Sequence, residues 1–449
     1  MATLRSLIYI SNGNLPSKMA HTIQIAKMSQ ALAQKIENFE LVTGGDIGST
    51  LKGMNVEFVS WYGLHNKFKL VRLPMHLKIN YPFPPDYQNQ TFFKLATLYA
   101  CLKSPSLVYT RNFRATELLL SIGIPVLYEQ HHLMTANSPE RCFLTNQNLV
   151  GFITISPQLG ETYIEYGLSA EKLLIAHSAV DTTNFLPHQS KELARQNLSF
   201  QQAENLWGGF PSTEFFKRAE SLGEASTSPK LFKRDEKIVL YSGHLYDYKG
   251  VPTILETALL MPEYTFILVG GWESDVLRVK ENCKHKNIHN VYAVGHVPQS
   301  ELASYLYAAD VLLLPTSSSW GQAQTTSPLK LFEYMCVKRP IVASALPNIM
   351  TVLRDEENGI LATPDEPASF KSAIEKLFLN PALVASITES AFQEVQNFTW
   401  DNRAEIILQF ATEKLKQFDQ STNNPTENLL KYAGQTYKRL SKKIMTKTN

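Results

Sequence analysis

The sequence predicts two doubly wound α/β domains in tandem, and three observations carry this. Short apolar runs alternate with helix-period segments along nearly the whole chain, the pattern of βαβ units and parallel sheets. Runs such as VLLLP (311–315) and FILVG (266–270) are apolar on both faces, as parallel strands covered by helices must be. The alternation breaks once, over residues 188–236, which are rich in Gln, Ser and Glu and contain no strand candidate. That stretch reads as an interdomain linker with an inserted helical excursion.

In the first domain, residues 1–187, strands are expected at 6–11, 39–44, 56–62, 107–111, 126–129, 151–156 and 173–176. Helix patterns lie between them. Over 19–35, His21, Ile25, Met28 and Leu32 form one stripe, and a second helix fits 113–122. The second domain, residues 237–398, has strand candidates at 238–242, 265–270, 291–295, 311–315, 340–344 and 359–362. Helices fit 253–260, 276–283, 300–309, 329–337 and 369–379. Residues 381–417 are helical in pattern. Trp400 and Arg403 open a final long helix, and 399–449 is taken as that helix and a basic tail.

The 449 residues are 44% hydrophobic and 19% charged, so a large core is available and wholesale disorder is excluded. Forty-three basic residues against 41 acidic give a net charge of +2, which excludes a chain-wide nucleic-acid-binding surface. The four cysteines, Cys101, Cys142, Cys283 and Cys336, form no CxxC pair, against zinc ribbons, redox motifs and a disulfide framework. The apolar run 7–10 is short for a signal peptide, and no stretch approaches the roughly 18–20 apolar residues of a membrane span. A reduced, cytoplasmic protein is expected.

Several chemistries lack their motifs. GxGxxG, Walker A, HExxH and Asp-x-Asp are all missing, and the adjacent His131 and His132 do not have metal-ligand spacing. The positive signal lies in the second domain. Ser242-Gly243-His244-Leu245-Tyr246-Asp247-Tyr248-Lys249-Gly250 follows a buried strand and opens a helix. Small residues there admit a ligand to backbone N–H groups, and Lys249 adds a full positive charge to the helix terminus, which suits a diphosphate. Taken alone, the same text could be a basic turn that only caps a helix. A second element, 326–335 (TSPLKLFEYM), starts a helix with Pro in its first turn. Its amides could meet the same phosphates, and Glu333 could accept ribose hydroxyls. Alone it is equally a capped amphipathic helix with a solvated Glu. Both elements fall at carboxyl ends of strands, where α/β proteins bind ligands.

At this point the sequence resembles the GT-B glycosyltransferases of the type-4 group. The resemblance is densest over 237–380, in GHLYDYKG (243–250), FILVGG (266–271), VYAVGHVPQSELASYLYAADVLLLP (291–315), TSPLKLFEYM, RPIVASALPNI (339–349) and NGILATPDEPASFKSAI (358–374). The first domain adds LPSKMAHTIQIAKMSQAL (15–32), LYEQHH (127–132) and ITIS (153–156), and SAVDTTNF (178–185) resembles the segment that leads out of it. The resemblance implies two Rossmann-like domains facing a cleft, with the C-terminal helix crossing back. It implies that Lys249 holds the donor diphosphate, that Gly243 allows close approach, and that His244 belongs to the same site. Ser327 and the Leu329 amide would bind phosphate, and Glu333 the ribose. Gly295 and Val297 would line the base pocket, Gly13 would lie near the phosphates, and His131 of the Glu-x-His pattern would face the sugar. His21 and Arg111 are weaker acceptor-side candidates.

The implied reaction is retaining sugar transfer from a nucleotide sugar to a glycan or lipid-linked acceptor, in polysaccharide or cell-surface glycan synthesis, with no metal or other cofactor. Developing diphosphate charge is stabilised by Lys249 and helix amides. The alternatives are a GT-B-fold epimerase acting on the donor alone, and a degenerate module that binds nucleotide sugar without catalysis. Two departures bear on this. Many relatives carry a further Glu eight residues before Glu333, where this chain has Thr325, leaving the 321–326 loop to contact sugar. His244 stands where Arg is often found, which removes one charge from the phosphates. Residues 431–449 hold six Lys or Arg and no acidic residue, with Ala433, Tyr437, Leu440 and Ile444 on one helical stripe. Such a tail could rest on the inner face of a membrane or be a solvated terminus.

Overall fold

The computed structural model describes residues 4–17, 19–45, 54, 56–74, 90–133, 135, 138–198 and 236–418. The chain divides into two compact units. One runs to His177 and resumes at Trp400, and the other spans Ser178–Thr399.

The first unit holds a seven-stranded parallel sheet, ordered β3-β2-β1-β4-β5-β6-β7. Its strands are β1 (Ser6–Asn14), β2 (Asn38–Gly45), β3 (Lys69–Pro74), β4 (Leu107–Thr110), β5 (Val126–Gln130), β6 (Leu149–Thr154) and β7 (Leu173–Ile175). Helices α1 (Ala20–Lys35), α2 (Val56–Trp61), α3 (Gln90–Lys103), α4 (Phe113–Ser121) and α5 (Pro157–Glu165) lie between them in sequence. Capping follows local chemistry. The Asn112 and Ser156 side chains accept from the Ala115 and Leu159 amides at the starts of α4 and α5.

One expectation fails here. The segment 56–62 is not a strand but contains α2, and the third strand is β3. Its apolar spacing explains the difference. Phe58 and Tyr62 are both buried and meet edge to face at 5.1 Å, as residues four apart can on a helical path. The true strand carries Lys69 and Arg72, which reads as polar, yet it sits at the sheet edge where charge is favourable. Lys69 pairs with Glu40, its register partner on β2, at 2.7 Å.

The second unit holds a six-stranded parallel sheet, ordered β10-β9-β8-β11-β12-β13. These are β8 (Ile238–Ser242), β9 (Thr265–Val269), β10 (Val291–Gly295), β11 (Val311–Leu314), β12 (Ile341–Ser344) and β13 (Ile360–Ala362). Helix α6 (Lys191–Asn197) precedes the sheet. It is followed by α7 (Val251–Leu259), α8 (Glu273–His285), α9 (Gln299–Ala308), α10 (Leu329–Cys336), α11 (Pro347–Met350), α12 (Pro367–Leu379) and α13 (Pro381–Val395). Strand alternation sends the two helices that matter for the site to opposite faces. Val239, Tyr241, Val311 and Leu313 share a core with Val251, Ile254 and Leu255 of α7. Leu240, Leu312 and Leu314 share the other core with Leu331, Phe332 and Met335 of α10.

The region expected to be a linker starts as part of this second unit. Lys191 and Arg195 of α6 reach Asp310 at 2.7 and 2.8 Å, and the same carboxylate accepts from the Ile238 amide that opens β8. Residues 199–235 lie outside the described residues, as do 419–449 with the basic tail. The last described helix, α14 (Trp400–Gln417), belongs to the first unit, as a helix crossing back must. Gly151 of β6 makes room for it, since a Cβ there would lie 2.5 Å from the Phe410 ring.

Gly250 closes the turn between β8 and α7 at φ +85°, and a Cβ would stand 1.7 Å from the Pro315 carbonyl oxygen. Left-handed strain alone costs about 1–3 kcal/mol at a non-glycine residue. Gly250→Ala is therefore expected to lower the melting temperature by several degrees in a thermal denaturation experiment. An unchanged melting temperature would show that the turn relaxes freely.

Candidate functional site

The candidate residues fall in two places, one in each unit. Gly243, His244, Lys249, Gly295, Val297, Ser327, Leu329 and Glu333 lie in the second unit, and Gly13 and His131 in the first.

In the second unit the sheet order reverses between β8 and β11, so the loops after these strands part at the carboxyl edge. The loop after β8 runs through Gly243 into a 3₁₀ turn, Asp247–Lys249. The Tyr248 carbonyl accepts from the Ser317 amide at 3.1 Å, tying this loop to the one after β11. Gly243 itself is anchored by its amide to the Val269 carbonyl at 2.8 Å. From the far face, the Tyr334 hydroxyl of α10 takes the Ser242 amide at 2.7 Å.

Lys249 lies over Trp320, its Nζ 4.4 Å from the ring centroid, and Trp320 stacks on Tyr248 at 4.7 Å. Burial pushes the Lys249 ammonium down to about 8. A second lysine, not singled out from sequence, shares this place. Lys330 stands 3.8 Å over the Tyr241 ring and against Gly243, where a Cβ would lie 2.4 Å from its Nζ. Burial lowers its pKa well below the ordinary range. The Lys249 charge adds to that shift, and Glu333 opposes it from one turn further along α10. Among the described residues, neither lysine makes an ion pair with a carboxylate. The sequence signal that could have revealed Lys330 is its position. A cation in the first turn of a helix meets the positive end of the macrodipole.

The other candidates behave differently. His244 stacks on Tyr246, ring centroids 5.1 Å apart, and burial with Lys330 and Lys249 lowers its pKa. It is a neutral ring at neutral pH, and its buried Nδ1 has no hydrogen-bond partner among the described residues. Ser327 Oγ accepts from the Ser178 amide at 2.9 Å, and Ser178 Oγ donates to the Ser327 carbonyl at 2.7 Å. The hydroxyl expected to bind phosphate therefore pins the segment that leads into this unit. Leu329 opens α10, where first-turn amides have no intrahelical partner. Gly295 ends β10 with its carbonyl on the Gly270 amide at 2.7 Å. Val297 is partly buried and packs against the hydrophobic core. Thr325 is buried and its hydroxyl donates to the Gln322 carbonyl within a tight turn.

In the first unit the site is a buried polar cluster at the ends of β4 and β5. Arg111 follows β4 and donates from Nη2 to His131 Nδ1 at 2.7 Å, and from Nη1 to Gln24 at 3.1 Å. With Nδ1 accepting, Nε2 carries the proton and donates to Glu129. Tyr109 donates to the other Glu129 oxygen, and Arg403 of α14 pairs with Glu129 at 3.1 Å. Arg403 also donates to the His177 carbonyl at 2.8 Å. Burial alone would raise the Glu129 carboxyl, yet Arg403 and His131 hold it below the usual range. Burial and Arg111 push His131 down to about 3, so the imidazole is neutral. Both ring nitrogens of His131 are thus engaged inside the unit, although it was expected to face a sugar. His21 sits exposed in the first turn of α1, and Gly13 lies in β1 where the register shifts between Ser11 and Asn14.

Comparison with known proteins shows what this chain is similar to. Residues 224–394 match the family model for glycosyl transferases group 1. An uncharacterized glycosyltransferase of Methanocaldococcus jannaschii is 28% identical over 189 residues, 41% of this chain and 47% of the relative. A D-inositol 3-phosphate glycosyltransferase of Acidothermus cellulolyticus is 33% identical over 188 residues, 39% of this chain and 40% of the relative. The matches thus span under half the length of these relatives. Among solved structures, sucrose-phosphate synthase from Thermosynechococcus elongatus superposes with TM-score 0.66 at 19% identity, covering 91% of this chain and 98% of that one. The Anabaena protein HepE in complex with UDP superposes with TM-score 0.63 at 14% identity, covering 91% and 100%. These likenesses establish the fold, a pair of Rossmann-like α/β domains of the GT-B type.

The buried His131 ring has a consequence for pH. Its folded pKa near 3 lies below the ordinary 6.5, so between these values the unfolded chain binds a proton that the folded chain refuses. Stability is expected to fall as pH drops from 6.5, by up to about 1.4 kcal/mol per pH unit from this group. Urea unfolding at pH 7, 6 and 5 should show a shallower slope for His131→Gln than for the parent. Parallel slopes would mean that His131 protonates freely in the folded state.

Proposed function

We propose that this chain, with its glycosyl transferases group 1 domain over 224–394, moves a sugar from a nucleotide-diphosphate donor to a glycan or lipid-linked acceptor, with retention and without a metal ion. One observation carries the proposal. The Lys249 ammonium is partly buried at the topological switch point and has no carboxylate partner among the described residues. A buried cation without a counter-charge is costly unless an anion completes it. A donor diphosphate is that anion.

In the proposed reaction the glycosidic bond to the diphosphate breaks as negative charge grows on the leaving oxygen. Lys249 and the first-turn amides of α10 stabilise that charge in place, before the reaction begins. The departing phosphate accepts the proton of the attacking hydroxyl on the same face, so no protein nucleophile is used. The Anabaena fold relative is recorded with UDP and with UDP-glucose, which makes UDP-sugars the first donors to try. Among the described residues no helix is long and apolar enough to cross a membrane. The basic stripe of 431–449, outside the described residues, supports an acceptor at the cytoplasmic membrane face.

The test is nucleotide release from UDP-, GDP- and ADP-sugars with and without a mixed glycan and glycolipid acceptor preparation. Acceptor-dependent release that persists in EDTA is expected, and loss of turnover in EDTA would overturn the metal-free route. Release without acceptor would favour epimerase or hydrolase chemistry. Lys249→Ala should lose on the order of 10²–10³ in turnover while its circular dichroism stays unchanged. Undiminished turnover in that variant would remove Lys249 from the reaction.

A further inference from the structure

Lys330 carries its charge where a cation is costly. It is the second residue of α10, where the helix macrodipole already presents positive charge. Its side chain is partly buried, the charge of a second partly buried ammonium, Lys249, opposes its own, and it forms no ion pair among the described residues, the Glu333 carboxylate one turn on being the counter-charge that acts on it. The contacts it does make are with the Tyr241 ring face, at 3.8 Å, and with the empty side of Gly243. A lysine with only a structural role could be a methionine here and avoid burying a charge. Two ammonium groups and a helix N-terminus converging on one strand end call for a ligand with at least two negative charges.

We propose that Lys330, its ammonium seated against the open side of Gly243, supplies a second positive charge on the donor diphosphate. This rests on the nucleotide-sugar reading and deepens it. The His244 ring is poorly suited to the role, because it is stacked on Tyr246 and burial, with Lys330 and Lys249, lowers its pKa. The room left at Gly243 is taken by Lys330 Nζ and Cε, at 2.4 and 2.9 Å from an added Cβ, rather than left open for phosphate to approach the backbone. Lys330 is therefore assigned to donor binding.

The proposal is tested by calorimetric binding of UDP, GDP and ADP, each beside its nucleoside, to the full chain and to Lys330→Met. The variant should weaken the preferred nucleoside diphosphate on the order of ten- to a hundred-fold and leave the nucleoside affinity unchanged. Without ligand, its melting temperature should hold or rise, because an uncompensated buried charge has been removed. A lower melting temperature with an unchanged ratio of diphosphate to nucleoside affinity would make Lys330 structural and overturn the proposal. Lys330→Gln gives the same comparison if Lys330→Met does not fold. If the parent binds none of the three diphosphates, the nucleotide-sugar reading itself fails. Binding that Lys330→Met leaves intact overturns only this inference.

Discussion

The second unit is organised by the parting of two chain paths at one strand edge. Strand β8 pairs in parallel with β9 on one side and β11 on the other. The helices that follow β8 and β11 must then cover opposite faces, because alternate strand residues supply separate cores to α7 and α10. The loops leaving these strands diverge, and both helix starts border the space between them. The loop after β8 carries Lys249, and the first turn of α10 carries Lys330. Their placement follows from sheet order and needs no specific contact between the two.

Charge is handled in opposite ways in the two units. In the first, Glu129 receives Arg403, His131 and Tyr109 together, so a buried carboxylate is satisfied from three directions. The cluster fastens α14 to the strand ends through Arg403, which also holds the His177 carbonyl at the boundary of the unit. His131 stays neutral because Arg111 donates to one nitrogen and Glu129 accepts from the other. In the second unit the ammonium groups rest on aromatic faces, Trp320 and Tyr248 for Lys249 and Tyr241 for Lys330. Ring faces attract cations without cancelling their charge. The first arrangement is closed upon itself, whereas the second keeps its positive charge available to an anion.

Some corrections to the sequence-based expectations have a common origin in tertiary packing. The resemblance implied that Ser327 binds phosphate, and the structure adds that its oxygen accepts from Ser178, a residue 149 positions away. Val297, expected near the base, is partly buried against the core. Local text could not show either, because both depend on which distant segment arrives alongside. The 56–62 segment shows the same limit at the level of secondary structure, since Val, Phe and Trp suit a strand until Phe58 and Tyr62 find their partners on a helical path.

The sequence by itself determined most of the alternation of strands and helices and the two-sheet architecture. These are properties of short stretches: apolar runs that must be covered on both faces. Only the tertiary structure decided which side chains share a place. It drew Lys330 to Gly243 and Lys249 across the strand order, engaged both nitrogens of His131, and assigned the Ser327 hydroxyl to Ser178. Residues far apart in the chain meet through sheet topology and core packing, and no spacing along the sequence encodes the distance between two side chains on different strands.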